Sequence, residues 1–371
     1  MIETDTISAS EIIAIDEIKV QAYTIPTELP ESDGTIEWNS TTLVLVRIFA
    51  GGKTGIGYTY SNPAAAVVIH SFSKILKGKN CLHISEITES LIRFIRNDGQ
   101  CGIAMTAVSA VDIALWDLKA KILEIPLCVL LGQNQSSMLI YGSGGFTSYS
   151  TTQTSRQFLK WAEYGISHFK MKVGRDEARD PERVRSARKT IGSNAGLFVD
   201  ANGAYTARKA IEMAGYFNEE AVSWFEEPVI ASDFGGMLFV KMHVPVKCRI
   251  ASGEYGYELS YFKKMIGMGS VDVVQADATR CGGISNFLKA GFISEAYNLP
   301  FSSHCAPSVH LHAALHLPAF EIAEYFHDHA RIENMLFDGV IHPVDGFLKP
   351  DLSRSGLGIE FRFSDATRYK I

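Results

Sequence analysis

The stretch that decides the fold reads HFKMKV and covers residues 168–173. Two similar stretches follow it, GLFVDAN at residues 196–202 and VSWFEEP at residues 222–228. All three are short apolar runs that contain or end in charged residues, and segments with the spacing of amphipathic helices separate them. Strands that alternate with helices in this way are typical of a parallel β/α domain.

The same alternation extends in both directions along the chain. Eight strand-like runs can be counted: Leu139–Phe146, His168–Val173, Gly196–Asn202, Val222–Pro228, Cys248–Glu254, Val271–Asp277, Asn298–His304 and Phe320–Phe326. Eight β/α units in about 200 residues favour a TIM-type barrel over an open sheet.

A smaller α+β domain is predicted before the barrel and ends near Gly132. Ile18–Tyr23 and Thr42–Phe49 are rich in β-branched residues and predict strands, whereas Met105–Ile122 carries the apolar stripe of a helix. The polar segment Thr24–Ser40 lies between the first two strands, and we expect it to be a loop that closes over the barrel mouth.

Ionisable residues interrupt the predicted barrel strands, although both faces of such strands are normally apolar. Side chains alternate faces along a strand, so Lys170 and Lys172 point away from Met171, which suits the outer helices. The ionisable residues that this alternation places inside the barrel are Lys170, Lys172, Asp200, Glu226, Glu254, Asp277, His304 and Glu324. All but Glu324 lie at the C-terminal end of a run, the face where barrel active sites form.

A purely structural role is the first alternative for these residues. A single acidic residue at a strand end is usually the N-cap of the next helix, and a lone lysine there is usually a solvated rim charge. Capping does not explain such residues on seven strands in series, because burying like charges together is costly without a metal or a counter-charge. We therefore interpret the set as a functional site.

Three of the inward carboxylates predict a metal site. Asp200, Glu226 and Glu254 converge from adjacent strands and offer only oxygen atoms, which suits a hard cation. Mg²⁺ is the expected cofactor because it leaves coordination positions for a substrate oxygen, and Mn²⁺ could substitute. The sequence lacks the His or Cys ligands that would favour zinc at this place.

The remaining inward residues predict acid–base chemistry on both sides of the metal. Lys172 lies next to Lys170 and near a dication, which favours loss of its proton and its use as a base. Asp277 and His304 end consecutive strands, and the carboxylate would fix the imidazole tautomer for a general acid or base. These groups suit removal of the proton alpha to a carboxylate.

These stretches resemble the enolase superfamily and, within it, the mandelate racemase subgroup. The matching residues are Lys170-Met171-Lys172, Asp200-Ala201-Asn202, Phe225-Glu226-Glu227-Pro228, Gly253-Glu254, Asp277 with Gly282-Gly283, and Ser302-Ser303-His304. The resemblance spans nearly the whole chain and implies a modified (β/α)7β barrel with an α+β capping domain. It implies a cap at residues 1–135, a barrel at residues 136–335 and a C-terminal segment at residues 336–371 that returns to the cap.

The resemblance also implies roles for the candidate residues. The three carboxylates named above would hold the metal, and Lys172 would be the base on one face, opposite His304 with Asp277. Lys170 would neutralise the substrate carboxylate. Glu324 would donate a hydrogen bond to that carboxylate. For this it must be neutral, which burial among apolar neighbours would favour by raising its pKa. Homo-oligomers from dimer to octamer are implied as well.

The favoured reaction is dehydration of an acid sugar to a 2-keto-3-deoxy acid, with His304 expelling the 3-hydroxyl. Racemisation or epimerisation of a 2-hydroxy acid or amino-acid derivative is the alternative, with proton transfer between Lys172 and His304. The muconate cycloisomerase subgroup carries a lysine where this chain has Asp277, which disfavours cycloisomerisation. A non-catalytic scaffold protein is disfavoured because the acid–base residues are intact.

The candidates for substrate binding are Asn202, Arg280, Trp38 and Asp33. Trp38 and Asp33 lie in the polar segment, which would suit the hydroxyls of a sugar acid or an amine. Arg280 follows Asp277 and is expected either to meet a second carboxylate or to be a rim charge.

Five further histidines stand near the end of the barrel. His310, His312 and His316 do not share one helix face, so we interpret them as packing or surface residues rather than a second metal site. His327 and His329 are expected to line the pocket.

Composition argues against other partner classes. The net charge of -6 and the pI of about 6.0 disfavour nucleic acid and anionic membranes as partners. The six cysteines form no C-x-x-C pair, so free buried thiols are expected. The N-terminus, with Glu3 and Asp5, lacks a signal peptide, and no run approaches the roughly 18 to 20 apolar residues of a membrane helix. A cytoplasmic enzyme acting on a small-molecule carboxylate is the expectation.

Overall fold

A three-stranded antiparallel sheet opens the part of the chain that the computed structural model describes, residues 12–371. Its strands are β1 (Ile15–Ser32), β2 (Glu37–Ala50) and β3 (Lys53–Tyr60). The expectation of a loop at residues 24–40 is wrong, because β1 and β2 continue as a long hairpin through most of that segment. Its prolines are tolerated because the pairing shifts register between Pro26 and Glu31, as at a β-bulge. The extreme N-terminus, with its predicted lack of a signal peptide, lies outside the described residues.

Five helices complete the cap within the described residues: α1 (Ala64–Ser71), α2 (Ser73–Leu76), α3 (Ile84–Phe94), α4 (Met105–Ile122) and α5 (Leu127–Leu131). Together with the turn before it, α4 forms a helix at Gln100–Ile122 that is long and apolar enough to cross a membrane. The sequence expectation that no such stretch exists is therefore wrong. Most of this helix is buried inside the protein, where it packs on the cap sheet, as the core helix of a globular domain does.

Eight parallel strands form a closed barrel. They are β4 (Met138–Gly144), β5 (His168–Lys172), β6 (Gly196–Asp200), β7 (Val222–Glu226), β8 (Arg249–Ser252), β9 (Val273–Ala276), β10 (Phe301–Ser303) and β11 (Phe320–Phe326). Each strand pairs with the next, and β11 pairs with β4 to close the barrel. The predicted modified TIM barrel is confirmed.

Seven helices connect these strands along the described chain. They are α6 (Thr151–Ala162), α7 (Asp180–Ile191), α8 (Ala207–Glu219), α9 (Phe234–His243), α10 (Leu259–Gly267), α11 (Gly283–Ala296) and α12 (Pro307–Ala314). Polar N-caps begin three of them, since Ser150, Thr206 and Asp233 each accept a backbone N–H of the first turn. The arrangement is (β/α)7β, and α13 (His327–Leu336) follows the last strand.

The C-terminal segment leaves the barrel and touches the cap. It contains β12 (Phe337–Asp338), β13 (Phe347–Leu348), β14 (Glu360–Phe361) and α14 (Phe363–Ala366). The backbone N–H of Leu357 donates to Asp117 Oδ1 at 2.7 Å, and that of Ile371 donates to the Ala22 carbonyl at 3.1 Å. These bonds attach the tail to the cap's helix α4 and strand β1.

The hairpin of the cap lies directly over the barrel. A Cβ atom at Gly34, in the hairpin turn, would lie 2.5 Å from the Ala201 carbonyl and 2.7 Å from the Val173 carbonyl. Only glycine permits so close an approach, so the turn sits on the C-terminal ends of β5 and β6. The cap therefore covers the barrel face where the inward ionisable residues end their strands.

Candidate active site

Three buried carboxylates meet at the C-terminal ends of consecutive strands. Asp200 ends β6, Glu226 ends β7 and Glu254 follows β8. An oxygen from each lies within 4.8 Å of the others, and none of the three residues is more than 3% exposed. Gly253 permits the turn before Glu254, because its φ is +140° and a Cβ atom there would collide with the Gln275 carbonyl.

Two lysines face these carboxylates because of the strand register. Lys172 pairs with Asp200 across β5 and β6, and its Nζ lies 2.5 Å from Asp200 Oδ2. Lys170 is completely buried, with Nζ 2.5 Å from Glu226 Oε1 and 2.7 Å from Glu324 Oε1. Each lysine thus compensates part of the buried negative charge.

The pKa values of two buried groups are shifted by their charged neighbours. Burial alone would lower the pKa of Lys172, but the carboxylates of Asp200, Glu254 and Glu324 together outweigh it and the pKa lies above the usual value. Burial alone would raise the pKa of Glu324, but Lys170 and other cations bring it well below the usual range. Both oxygens of Glu324 act as acceptors here, since they receive Ser143 Oγ–H at 2.6 Å and Cys305 N–H at 2.8 Å, and its role as a donor to the substrate carboxylate stays a prediction.

The donor set fits a hard divalent cation. Burial and the neighbouring carboxylates hold the pKa of Glu226 well above its usual value. The two lysines therefore do not compensate all the negative charge that the carboxylates would carry if they were all ionised. Glu254 Oε2 is buried, and no hydrogen-bond donor reaches it within residues 12–371, although His304 Nε2 lies 3.2 Å away. Mg²⁺ or Mn²⁺ would bind such a group of closely spaced carboxylate oxygens and would give the unpaired oxygen a partner.

A histidine–aspartate pair lies at the other end of the triad. His304 Nδ1–H donates to Asp277 Oδ2 at 2.8 Å, which leaves Nε2 directed at the carboxylate cluster. Thr279 supplies its N–H and its hydroxyl to Asp277 Oδ1, both at 2.7 Å. Burial alone would raise the pKa of Asp277, but the hydrogen bond and charge of His304 hold it below the usual range.

The four candidate substrate-binding residues are placed differently from one another. Asn202 has a buried Oδ1 without a partner among the described residues, beside Asp200, and so offers a free acceptor in the site. Arg280 faces Glu254 Oε1 at 3.5 Å and Asp277 Oδ2 at 3.6 Å. Its guanidinium therefore lies beside the site's own carboxylates, and its contact with a second substrate carboxylate stays a prediction.

The two candidates from the hairpin have structural contacts. Asp33 Oδ1 accepts the N–H groups of Thr35 at 2.6 Å and Ile36 at 2.8 Å, so its carboxylate closes the hairpin turn. Trp38 packs edge-on against Phe146, with ring centroids 5.7 Å apart. Phe146 follows β4, so Trp38 forms part of an aromatic wall at the barrel mouth.

Sequence reasoning missed several polar residues around Glu226. Trp224 Nε1–H donates to Glu226 Oε2 at 2.9 Å, and Gln275 Nε2–H donates to the same oxygen at 3.0 Å. Trp224 precedes Glu226 by two positions and Gln275 precedes Asp277 by two, so strand alternation already places both inside. Neither residue was predicted as part of the site, because the prediction considered only ionisable side chains.

The histidines near the end of the barrel have mostly backbone partners. His312 accepts the Cys128 N–H at 3.2 Å and donates to the Leu357 carbonyl at 3.0 Å, and His316 donates to the Gly132 carbonyl at 2.7 Å. His327 pairs with Glu28 at 3.3 Å in the hairpin. His329 stacks on Tyr60 of the cap, with ring centroids 3.5 Å apart.

Four of the eight non-glycine residues with left-handed backbone in the described part of the chain lie where the functional strands end. Asn202, Glu227, Cys305 and Ala306 have left-handed φ angles of 47°, 40°, 52° and 37°. Each such residue costs about 1–2 kcal/mol relative to ordinary backbone. The surroundings must therefore hold these turns in place, and such strain is commonly found at active sites.

Comparisons with known proteins agree with this geometry. The family model described as "Mandelate racemase / muconate lactonizing enzyme, N-terminal domain" matches residues 17–132, and "Enolase C-terminal domain-like" matches residues 153–366. L-talarate/galactarate dehydratase of Salmonella typhimurium is 30% identical over 367 residues, which are 95% of this chain and 90% of that protein. Its solved structure, liganded with Mg and L-lyxarohydroxamate, is 28% identical, has a TM-score of 0.89 and covers 100% of this chain and 98% of that one.

Two other proteins extend the comparison. The 3,6-anhydro-alpha-L-galactonate cycloisomerase of Streptomyces coelicolor is 32% identical over 314 residues, which are 82% of this chain and 86% of that protein. A mandelate racemase/muconate lactonizing enzyme-like protein from Rubrobacter xylanophilus is 44% identical in its crystal structure, with a TM-score of 0.94, covering 96% of this chain and 100% of that one.

Proposed function

The chain belongs to the mandelate racemase / muconate lactonizing enzyme family of the enolase superfamily, and we propose that it is a Mg²⁺-dependent hydro-lyase that converts an acid sugar to a 2-keto-3-deoxy acid. One observation carries the proposal. Lys172 contacts the Asp200 end of the carboxylate triad, whereas His304 contacts its Glu254 end, so two proton-transfer groups flank one metal site.

The chain's own residues supply the proton transfers. In its neutral form, Lys172 Nζ takes the proton from C2 of the substrate, and the electrons of that bond move toward the carboxylate. His304 Nε2 gives a proton to the hydroxyl on C3, which leaves as water, and the resulting enol becomes the 2-keto acid. Lys170 offsets the charge of the substrate carboxylate, and Glu324 holds Lys170 in place. A Mg²⁺ ion held by the triad would neutralise the charge that develops when the C2 proton leaves, and it would offset the Asp200 charge that raises the pKa of Lys172.

Racemisation or epimerisation is the second candidate. A group on each side of the triad is also what proton transfer between two faces requires, so the same residues support it. Dehydration is preferred because the similar L-talarate/galactarate dehydratase spans nearly the whole chain. The argument from Asp277 against cycloisomerisation finds no support among the relatives, since one that is 32% identical is a cycloisomerase.

Proton NMR tests the proposal. The protein is incubated with Mg²⁺ in D₂O with a panel of mono- and diacid sugars and amino-acid derivatives. New 3-deoxy methylene signals together with loss of the C2 proton are expected, and Lys172→Ala should abolish both. Deuterium at C2 without elimination would instead favour the racemase or epimerase, and a cyclised product without loss of water would favour the cycloisomerase.

The remaining sequence expectations concern the whole protein. Burial of the long helix at Gln100–Ile122 is consistent with a soluble protein. The cytoplasmic location and the homo-oligomer of two to eight subunits stay predictions.

A further inference from the structure

His310 is a completely buried histidine in α12 that does not touch the carboxylate triad. Its Nε2 accepts the N–H of Ala278 at 2.9 Å. Its Nδ1–H is directed at two carbonyl oxygens, those of Cys305 and Ala306, both at 3.0 Å. One neutral tautomer satisfies both ends, and burial, which lowers the pKa of His310, favours that neutral form.

The two backbone segments that His310 joins carry the acid–base pair. Ala278 directly follows Asp277, and Cys305 directly follows His304. The imidazole ring is rigid and has a fixed width, and it therefore connects the segments that follow the neighbouring strands β9 and β10. Phe287 of α11 packs against the ring, with centroids 5.0 Å apart, and limits its movement.

The turn after His304 needs such a restraint. Cys305 and Ala306 are consecutive left-handed residues and neither is a glycine, so this backbone would relax if it were free to do so. Glu324 accepts the N–H of Cys305 at 2.8 Å, and the Ala306 carbonyl also accepts the backbone N–H of Val309 at 3.1 Å, but within residues 12–371 no backbone donor reaches the Cys305 carbonyl. His310 is the side chain that binds those carbonyls.

We propose that His310 is a positioning residue for the His304–Asp277 pair. It sets the spacing between the two turns, and through it the 2.8 Å hydrogen bond that aims His304 Nε2 at the carboxylate triad. The inference rests on the proposed function only in that His304 is taken as the acid that expels the hydroxyl. Nothing in it depends on His310 touching the substrate.

Two variants test separately the two sets of hydrogen bonds that His310 makes, one to Ala278 and one to the turn after His304. His310→Gln keeps an acceptor near the Nε2 position for Ala278 and loses the donor to the turn. His310→Asn keeps a donor near the Nδ1 position and cannot reach Ala278. The matched control is His312→Asn, because His312 lies two residues further along α12, is 2% exposed and also bridges two backbone groups, those of Cys128 and Leu357.

The kinetic measurement is the ratio of C2-proton exchange with D₂O to elimination of water from the substrate. Both His310 variants are expected to lower kcat about 10–100-fold with little change in KM, as is usual when a group that orients a functional residue is removed. Since Lys172 is unaffected, the substrate should exchange its C2 proton with D₂O more often per dehydration than in the parent protein. His312→Asn should lower thermal stability to a similar extent and leave this ratio unchanged. An unchanged ratio in the His310 variants, or an equal change in His312→Asn, would overturn the proposal.

A second readout needs no substrate. The Nδ1 proton shared by His304 and Asp277 should give a far-downfield proton NMR signal, assigned by its loss in His304→Asn. That signal should shift or broaden in both His310 variants and persist in His312→Asn. If no acid sugar is dehydrated, the proposed function fails while this signal still decides the role of His310. A signal that is the same in the parent and in both His310 variants would refute the positioning role.

Discussion

Replacement of Lys170 by methionine tests whether the buried charges of the site compensate one another. Methionine has a similar length and no charge, so the change in packing is small. In the parent protein, Lys170 is 0% exposed and its Nζ lies 2.5 Å from Glu226 and 2.7 Å from Glu324. Removing one partner of a buried ion pair costs about 3–5 kcal/mol because the other charge is left uncompensated. We expect the free energy of unfolding to fall by that amount near neutral pH.

The pH dependence of this loss follows from Glu324. In the parent protein its pKa is lowered, so Glu324 contributes stability above its unfolded pKa, and this is lost as the pH falls through the folded value. In Lys170→Met burial dominates and raises the folded pKa above the unfolded one, so the ionised group opposes folding at neutral pH. The difference between the two proteins should therefore grow as the pH rises from about 5 to about 8.

Urea unfolding in EDTA at two pH values measures the effect. The control is Lys53→Met, because Lys53 is 44% exposed in its 3.0 Å pair with Glu124 and such surface pairs contribute only about 0–1 kcal/mol. A loss in Lys170→Met no larger than that of the control, or one independent of pH, would refute the view that these buried charges are compensated by Lys170.

Four further predictions concern the metal, the chemistry, the hairpin and the assembly. Glu226→Gln should abolish the thermal stabilisation by Mg²⁺ seen in calorimetry, which at 100 times the Kd is about 2.7 kcal/mol; a retained shift would mean that the metal binds elsewhere. His304→Asn should slow dehydration at least about 100-fold while C2 exchange through Lys172 continues in D₂O, and loss of both would contradict the assigned roles. Asp33→Ala should raise KM more than it lowers kcat, because the hairpin turn over the barrel loses its hydrogen bonds, and an unchanged KM would place the hairpin out of the substrate's reach. Light scattering should return the mass of two to eight chains, and a monomer would contradict the homo-oligomer.

Local sequence patterns were sufficient to predict the barrel and to predict which side chains of its strands point inward. The run at residues 222–228 became the strand Val222–Glu226, and Met105–Ile122 is a helix over the whole predicted range. Such elements depend on the spacing of apolar residues within a few turns, which the sequence shows directly. The hairpin at residues 24–40 was misread because its prolines and polar residues are typical of loops, and only pairing with β2 makes it a strand.

The sequence by itself therefore determined the eightfold alternation and the inward direction of Lys170, Lys172, Asp200 and the other ionisable residues. The tertiary structure decided which atoms meet: Lys170 with Glu324, Arg280 with Glu254, and His310 with the turn after His304. It also decided the pKa shift of Glu324, since the lowering results from cations on strands that closure of the barrel brings beside it. The physical reason is that side-chain direction follows from the local alternation of a strand, whereas Coulomb energy and hydrogen bonding depend on distances between residues far apart in the chain.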